Sequence, residues 1–281
     1  MTTIRLLILI TILTGTSISS MAQDLFLYKQ IDTIQLFVEV YNPPIVAESK
    51  AYPAMIFFFG GGWNGGNRSH FLEHAKYFSK RGIVCFLADY RTASMHKTTP
   101  FESLKDAKSA IRFIRINASK FGIDSKKIIA SGGSAGGHLA TATALTSTYD
   151  EATDNLSLSP IPNALVLFNP VIDNGPGGYG YERIGDAYKS FSPLHNIKKG
   201  APPTIFFLGT NDVLIPVETA EYYRIVMEKV ESRCDLRLYE GQGHGFFNHK
   251  NFEYYEKTIF EADKFLQSLG YLKAQPLVKI E

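Results

Sequence analysis

The chain has 281 residues, 45% hydrophobic and 20% charged, with 29 Lys and Arg against 27 Asp and Glu, a formal net charge of +2. That length suits one large α/β domain with a sizeable core. A balance so near neutrality, without a basic stripe, gives no reason to expect a nucleic-acid partner.

The first residues do not read as part of the fold. Arg5 precedes an apolar run, Leu6–Leu13, and then small polar residues and Ser20-Met21-Ala22. This is the pattern of a secretory signal over residues 1–22, cleaved after Ala22, which predicts an exported protein, periplasmic or secreted. The apolar run is short for a spanning helix, and no later segment reads as one, so no integral membrane association is expected. The remaining residues, 23–281, read as one catalytic domain. There are two cysteines, Cys85 and Cys234. They fall in strand patterns expected to lie far apart, so no disulfide is predicted.

Two partly alternating segments, Leu25–Gln30 and Ile34–Tyr41, predict a hairpin closed off by Asn42-Pro43-Pro44. Ala54–Phe59 is a continuous apolar run, as in a strand covered on both faces. A glycine-rich loop, Gly60–Asn67, leads to helical spacing over His70–Lys80. Further buried strands are expected at Ile83–Ala88, Lys127–Ala130, Ala164–Phe168, Thr204–Leu208 and Asp235–Tyr239. Helices are expected at Phe101–Lys120, Ala135–Thr146, Val217–Val230 and Phe252–Leu269. Strands alternating with helices imply an α/β protein with a mainly parallel, eight-stranded sheet and helices on both faces. Residues 171–200 break the pattern. They read as an irregular insertion near the site, either functional or a crossover that merely covers the sheet.

Gly132-Gly133-Ser134-Ala135-Gly136 sits between a strand and a helix, the setting of a nucleophile elbow that lifts a serine hydroxyl above a sheet. A serine nucleophile needs a base, an orienting acid and donors for the oxyanion. Asp212 follows a buried strand and is the favoured acid. An Asx-turn would also explain an Asp there, and Asp173, after the preceding strand, is a rival. His244, between Gly243 and Gly245 after the last strand, is the favoured base; the other six histidines read as packing or surface residues. Gly60-Gly61-Gly62 after the first buried strand offers the amides of Gly61 and Gly62, which with that of Ala135 would make a three-donor oxyanion hole. The spacing does not fit a phosphate loop, and no His/Asp/Glu cluster has metal-ligand spacing, so neither metal nor cofactor is expected.

With these residues in place, the chain resembles the α/β-hydrolase fold carboxylesterases, in particular the acetyl esterase and hormone-sensitive-lipase-like group and the bacterial acetylxylan and feruloyl esterases of that fold. The order Ser134, Asp212, His244 is the order of that fold. The resemblance runs from about Leu25 to Leu269. One position departs from it: the family's glycine motif opens on a histidine that supports the loop, and here that position is Phe59. The stretch before the first buried strand is also short for the long cap of hormone-sensitive lipases, which implies an open site.

The expected function is therefore hydrolysis of short-acyl esters through an acyl-enzyme, with acetyl or feruloyl groups on polysaccharide fragments as the leading substrates. Trp63, Tyr179 and Tyr181 are candidate substrate contacts, small-molecule or oligosaccharide esters the expected partners. For Trp63, a packing anchor for the glycine loop is the favoured reading, with stacking on a sugar ring the alternative. The other readings are a prolyl-oligopeptidase-like serine peptidase and a non-catalytic binding protein on a hydrolase scaffold. The oligomeric state is not readable.

Overall fold

The computed structural model describes residues 24–44 and 51–274. The expected signal segment lies outside the described residues. Strands β1 (Asp24–Ile31) and β2 (Ile34–Tyr41) form the hairpin, and β3 (Tyr52–Phe58) enters the core. Helix α1 (Leu72–Lys80) leads to β4 (Val84–Ala88), and the four-residue α2 (Ala93–His96) to the long α3 (Pro100–Ile116). Then come β5 (Ile123–Gly133), α4 (Ala135–Leu145) and β6 (Ala164–Phe168). Two short helices, α5 (Tyr181–Ile184) and α6 (Tyr188–Phe191), precede β7 (Thr204–Gly209), α7 (Val217–Lys229), β8 (Cys234–Tyr239) and α8 (Phe252–Ser268).

The eight strands form one sheet in the order β1-β2-β4-β3-β5-β6-β7-β8. β1–β2 and β2–β4 are antiparallel, and every later pairing is parallel. Side chains along a strand alternate between faces, so the continuous apolar run of β3 serves two cores. Ile56 and Phe58 pack with Leu104, Ile111, Leu139 and Tyr223 of α3, α4 and α7. Met55 and Phe57 pack with Phe78, Ile259 and Phe265 of α1 and α8. Burying each such side chain stabilises the fold by about 1.5–3 kcal/mol. Among the described residues no helix is long and apolar enough to cross a membrane. Cys85 and Cys234 are free thiols on β4 and β8. Those strands are five spacings apart in the sheet order, about 24 Å, far beyond disulfide reach.

Three stretches differ from expectation. β5 starts at Ile123 rather than Lys127: Ile123 pairs with Tyr52, the register then shifts, and pairing resumes at Ile128 opposite Ala54, so the polar Asp124-Ser125-Lys126 between them carry no hydrophobic signal. α3 ends at Ile116, and the chain turns through Asn117–Gly122 with Gly122 at φ +62°. Residues 171–200 are not loop throughout: α5, α6 and two 3₁₀ turns, Gly185–Ala187 and Pro193–Asn196, fold into them. Segments of three or four residues are too short to show a helical period.

Candidate active site

The parallel strands deliver their C-terminal ends to one edge of the sheet, where ligands bind in open α/β folds. β5 brings Ser134 there, at φ +53° and ψ −121°. This is a costly conformation for a residue with a Cβ, so its surroundings must enforce it. The Ser134 N–H donates to the Phe168 carbonyl at 3.0 Å, and the Ser134 carbonyl accepts from His138 at 3.0 Å and Val171 at 3.1 Å. The turn closes because Gly136 has no side chain: a Cβ there would stand 2.0 Å from the Phe58 carbonyl oxygen.

β7 and β8 supply the next two residues. The Asp212 carboxylate is fully buried, and its Oδ2 accepts from His244 Nδ1 at 2.7 Å. Its Oδ1 accepts from the amides of Leu214 at 2.9 Å and Ile215 at 3.0 Å, which fixes the carboxylate's orientation. With Nδ1 donating, His244 Nε2 carries the lone pair and faces Asn169 Nδ2 at 3.4 Å. The rival Asp173 is elsewhere: it accepts from the Gly175 amide at 2.8 Å and lies 3.8 Å from His195.

The glycine loop after β3 forms the opposite wall. Gly61 and Gly62 take φ of +128° and +62°, open only to glycine at low cost. The amides of Gly61, Gly62 and Ala135 make no hydrogen bond among the described residues. Ser134, His244, Gly60–Gly62, Tyr179 and Leu214 share the wall of one cavity of about 270 Å³. The site thus combines a strained serine and an imidazole that is backed by a buried carboxylate and whose Nε2 lone pair takes a long 3.4 Å contact from Asn169 Nδ2. It adds the unpaired amides of Gly61 and Gly62 on the same cavity wall, and that of Ala135 next to Ser134. That set can attack an acyl carbon, move the proton and hold an oxyanion.

Two expected substrate contacts need correction. Trp63 is 1% exposed, sealed between His138, Tyr179 and Phe191 at 5.1, 5.8 and 6.2 Å and covered by the Arg183 guanidinium. No sugar reaches it; it anchors the glycine loop. Tyr181 is absent from the cavity wall and packs its ring on Tyr188. Tyr179 does line the cavity, and a Cβ on Gly62 would stand 2.7 Å from its hydroxyl. Phe59, in the place of the motif histidine, stacks on Tyr90 at 4.0 Å, and the Tyr90 hydroxyl donates to the Phe59 carbonyl at 2.7 Å.

Sequence reasoning also missed residues that frame the site. Arg183 donates to the Gly62 carbonyl at 2.6 Å. His70, taken as a packing or surface residue, lines the cavity with Asn169 and Asn248. Its imidazole is pushed below its ordinary pKa by burial, against the hydrogen bond to Asn248. No local motif marks these side chains, because their partners are far away in the chain. His138, expected to pack, does so against Phe191 at 4.4 Å. Burial there pushes its pKa down to about 3, against the pull of the Phe191 backbone and the Asn174 side chain.

Residues 38–175 match the model of the family described as BD-FAE. The apo structure of Thermogutta terrifontis esterase 2 superposes with a TM-score of 0.86 at 39% identity, covering 90% of this chain and 97% of that one. Other structures of that enzyme are phosphorylated by paraoxon or have propionate or butyrate bound. Esterase LipC of Mycobacterium tuberculosis is 29% identical over 70% of this chain and 54% of its own length. The acetylxylan esterase of Xylanibacter ruminicola is 26% identical over 79% of this chain and 47% of its own. The chain therefore spans about half the length of these two relatives.

Proposed function

The chain belongs to the α/β-hydrolase fold carboxylesterases of the hormone-sensitive-lipase-like group, and from that premise we propose that it hydrolyses short-acyl esters through an acyl-enzyme on Ser134. The observation that carries this reading is the 2.7 Å pair between His244 Nδ1 and Asp212 beside a strained Ser134 in one cavity.

In the first half-reaction His244 Nε2 takes the Ser134 hydroxyl proton as Oγ bonds to the ester carbon. The carbonyl π electrons move to its oxygen, and the Gly61, Gly62 and Ala135 amides stabilise that oxyanion. Each such donor is worth about 3 kcal/mol of barrier. When the tetrahedral intermediate collapses, the C–O bond to the alcohol breaks and His244 returns its proton to the leaving oxygen. In the second half His244 takes a proton from a water as that water attacks the acyl carbon; the bond from that carbon to Ser134 Oγ then breaks, His244 returns the proton to Oγ, and the acid leaves. Asp212 stays ionised and holds the imidazolium.

The substrate we favour is an acetyl ester on a polysaccharide fragment, with feruloyl esters the alternative acyl group. The acetylxylan esterase relative and the small cavity support it, as do the propionate and butyrate bound to the Thermogutta enzyme. The segment over residues 1–22 supports export, which would put the enzyme where such polymers are. Rates on p-nitrophenyl esters should fall steeply beyond butyrate. A panel of acetylated and feruloylated oligosaccharides then assigns the natural acyl group. A fluorophosphonate probe should label the wild type and not Ser134→Ala; labelling of both, or of neither, would sink the proposal.

A further inference from the structure

Gly61 and Gly62 take positive φ, and so does Gly245, at φ +81°, directly after His244; with no side chain, none of the three can anchor itself by one. Flexible residues at both walls of a catalytic site need outside contacts to fix them. The structure supplies a continuous one. The Gly60 amide donates to His70 Nδ1 at 3.0 Å. His70 Nε2 then donates to Asn248 Oδ1 at 2.6 Å, and Asn248 Nδ2 donates to the Gly245 carbonyl at 2.7 Å. The polarity of each link is forced. A backbone amide only donates, so His70 Nδ1 must accept and Nε2 must carry the hydrogen. The Gly245 carbonyl only accepts, so the Asn248 amide can point only one way. The same Gly245 donates its N–H to Asn169 Oδ1 at 3.0 Å, so the residue after His244 is gripped at both polar atoms.

We propose that His70 and Asn248 are positioning residues that strap the oxyanion loop to the loop carrying His244, an inference that rests on the Ser134–Asp212–His244 reading above. Both line the cavity, but their hydrogen bonds go to the Gly60 amide, to each other and to the Gly245 carbonyl, not to Ser134 or His244. They set the distance between the donors that hold the oxyanion and the imidazole that moves the proton, two parts that must engage the same tetrahedral intermediate. The His70 ring also packs beside Phe71 at 4.8 Å and Phe247 at 5.8 Å. Packing of that kind requires a ring and no nitrogen, so two substitutions divide the roles. His70→Phe keeps the ring and removes both hydrogen bonds. His70→Gln removes the ring and keeps an acceptor and a donor about as far apart as the ring nitrogens.

The test is steady-state hydrolysis of p-nitrophenyl acetate by the full chain, with thermal unfolding recorded for each variant. His70→Phe should lower kcat by about 10- to 100-fold with KM within about threefold, since small misplacements of the catalytic groups act on the transition state. His70→Gln should recover kcat to within about fivefold of wild type. Asn248→Ala, at a half-buried position, should match His70→Phe, and it carries the test if the phenylalanine variant fails to fold. The double variant should be little worse than either single one, because both break one strap. Wild-type kcat in a folded His70→Phe, or a His70→Gln as damaged as His70→Phe, would overturn the strap. Ser134→Ala, assayed alongside, separates the two readings. If it is inactive while His70→Phe is fully active, only the strap fails; if it is active, the catalytic reading fails and the strap with it.

Discussion

Asp212→Asn isolates the acid's chemical role from its structural one. Two backbone amides, those of Leu214 and Ile215, donate to Oδ1 at 2.9 and 3.0 Å. An asparagine must turn its carbonyl oxygen toward them, because its NH₂ group would face two donors. The NH₂ group is then left where Oδ2 was, against His244 Nδ1 at 2.7 Å. His244 must now accept at Nδ1, so its hydrogen moves to Nε2 and it can no longer take the Ser134 proton. A wrong tautomer of this kind costs about 10⁴ in kcat, or about 5.5 kcal/mol of barrier. The fold should be nearly untouched, since every hydrogen bond to residue 212 persists in some form. Asp212→Ala should differ by also orphaning the two amides, which costs about 1–3 kcal/mol for each buried donor. The assay is kcat on p-nitrophenyl acetate with thermal unfolding in parallel. The expected result is an inactive Asn variant that melts near wild type beside an inactive Ala variant that melts clearly lower. An Asn variant keeping a tenth or more of wild-type kcat would refute the assignment of the tautomer, and with it the role given to Asp212.

Further outcomes follow from buried groups. His138 is buried with its pKa pushed down to about 3, while the unfolded chain titrates near 6.5. The unfolded state therefore binds the extra proton, so stability is fully present above about pH 6.5 and is lost as pH falls below it. The loss is about 2 kcal/mol by pH 5, and denaturant unfolding at pH 7 and pH 5 should show that difference shrink in His138→Leu. Gly136→Ala should prevent folding or cost at least about 3 kcal/mol, because the new Cβ meets the Phe58 backbone oxygen and not a movable side chain; a soluble variant with wild-type melting would contradict the packing. Asp263→Ala removes the carboxylate that pairs with the Arg81 guanidinium at 2.5 Å, both side chains at most 2% exposed, and leaves that buried charge with the Lys273 carbonyl but not this carboxylate. The expected loss is about 3–5 kcal/mol in thermal or urea unfolding, with kcat unchanged below the new transition.

The strands were legible from their patterns: the parallel Ala164–Phe168 is an uninterrupted apolar run and the antiparallel Ile34–Tyr41 partly alternates, and both begin and end where those patterns placed them. The juxtaposition of Ser134, Asp212 and His244 was legible for a related reason. Each follows a strand, and the sheet order brings strand ends to one edge. What stayed hidden depends on side chains meeting across long sequence separations. His70 meets Asn248, and Arg183 meets Gly62, with no spacing rule to reveal either pair. Trp63 stayed open for a different reason. A lone tryptophan beside a glycine loop suits both a sugar platform and an anchor, and only its burial between His138 and Phe191 decides.

Phe59 in the place of the motif histidine is best understood by following the polar atoms of its loop. The Phe59 carbonyl is taken by the Tyr90 hydroxyl, the Gly61 carbonyl by the amides of Asn64 and Gly65, and the Gly62 carbonyl by Arg183. The Gly60 amide is spent on His70. The amides of Gly61 and Gly62 remain, together with that of Ala135 at the start of α4, where the helix dipole adds partial positive charge. The carbonyls of Phe59, Gly61 and Gly62 are thus occupied from behind, while the loop's spare donors are left at the wall where Ser134 stands. Such a surface stabilises an oxygen as it becomes negative more than it does a neutral carbonyl, which is the differential a catalyst requires. Phe59 contributes no hydrogen bond through its side chain. Its stacking on Tyr90 places the hydroxyl that occupies the first of those carbonyls, so the loop keeps its polarity by a different set of supports.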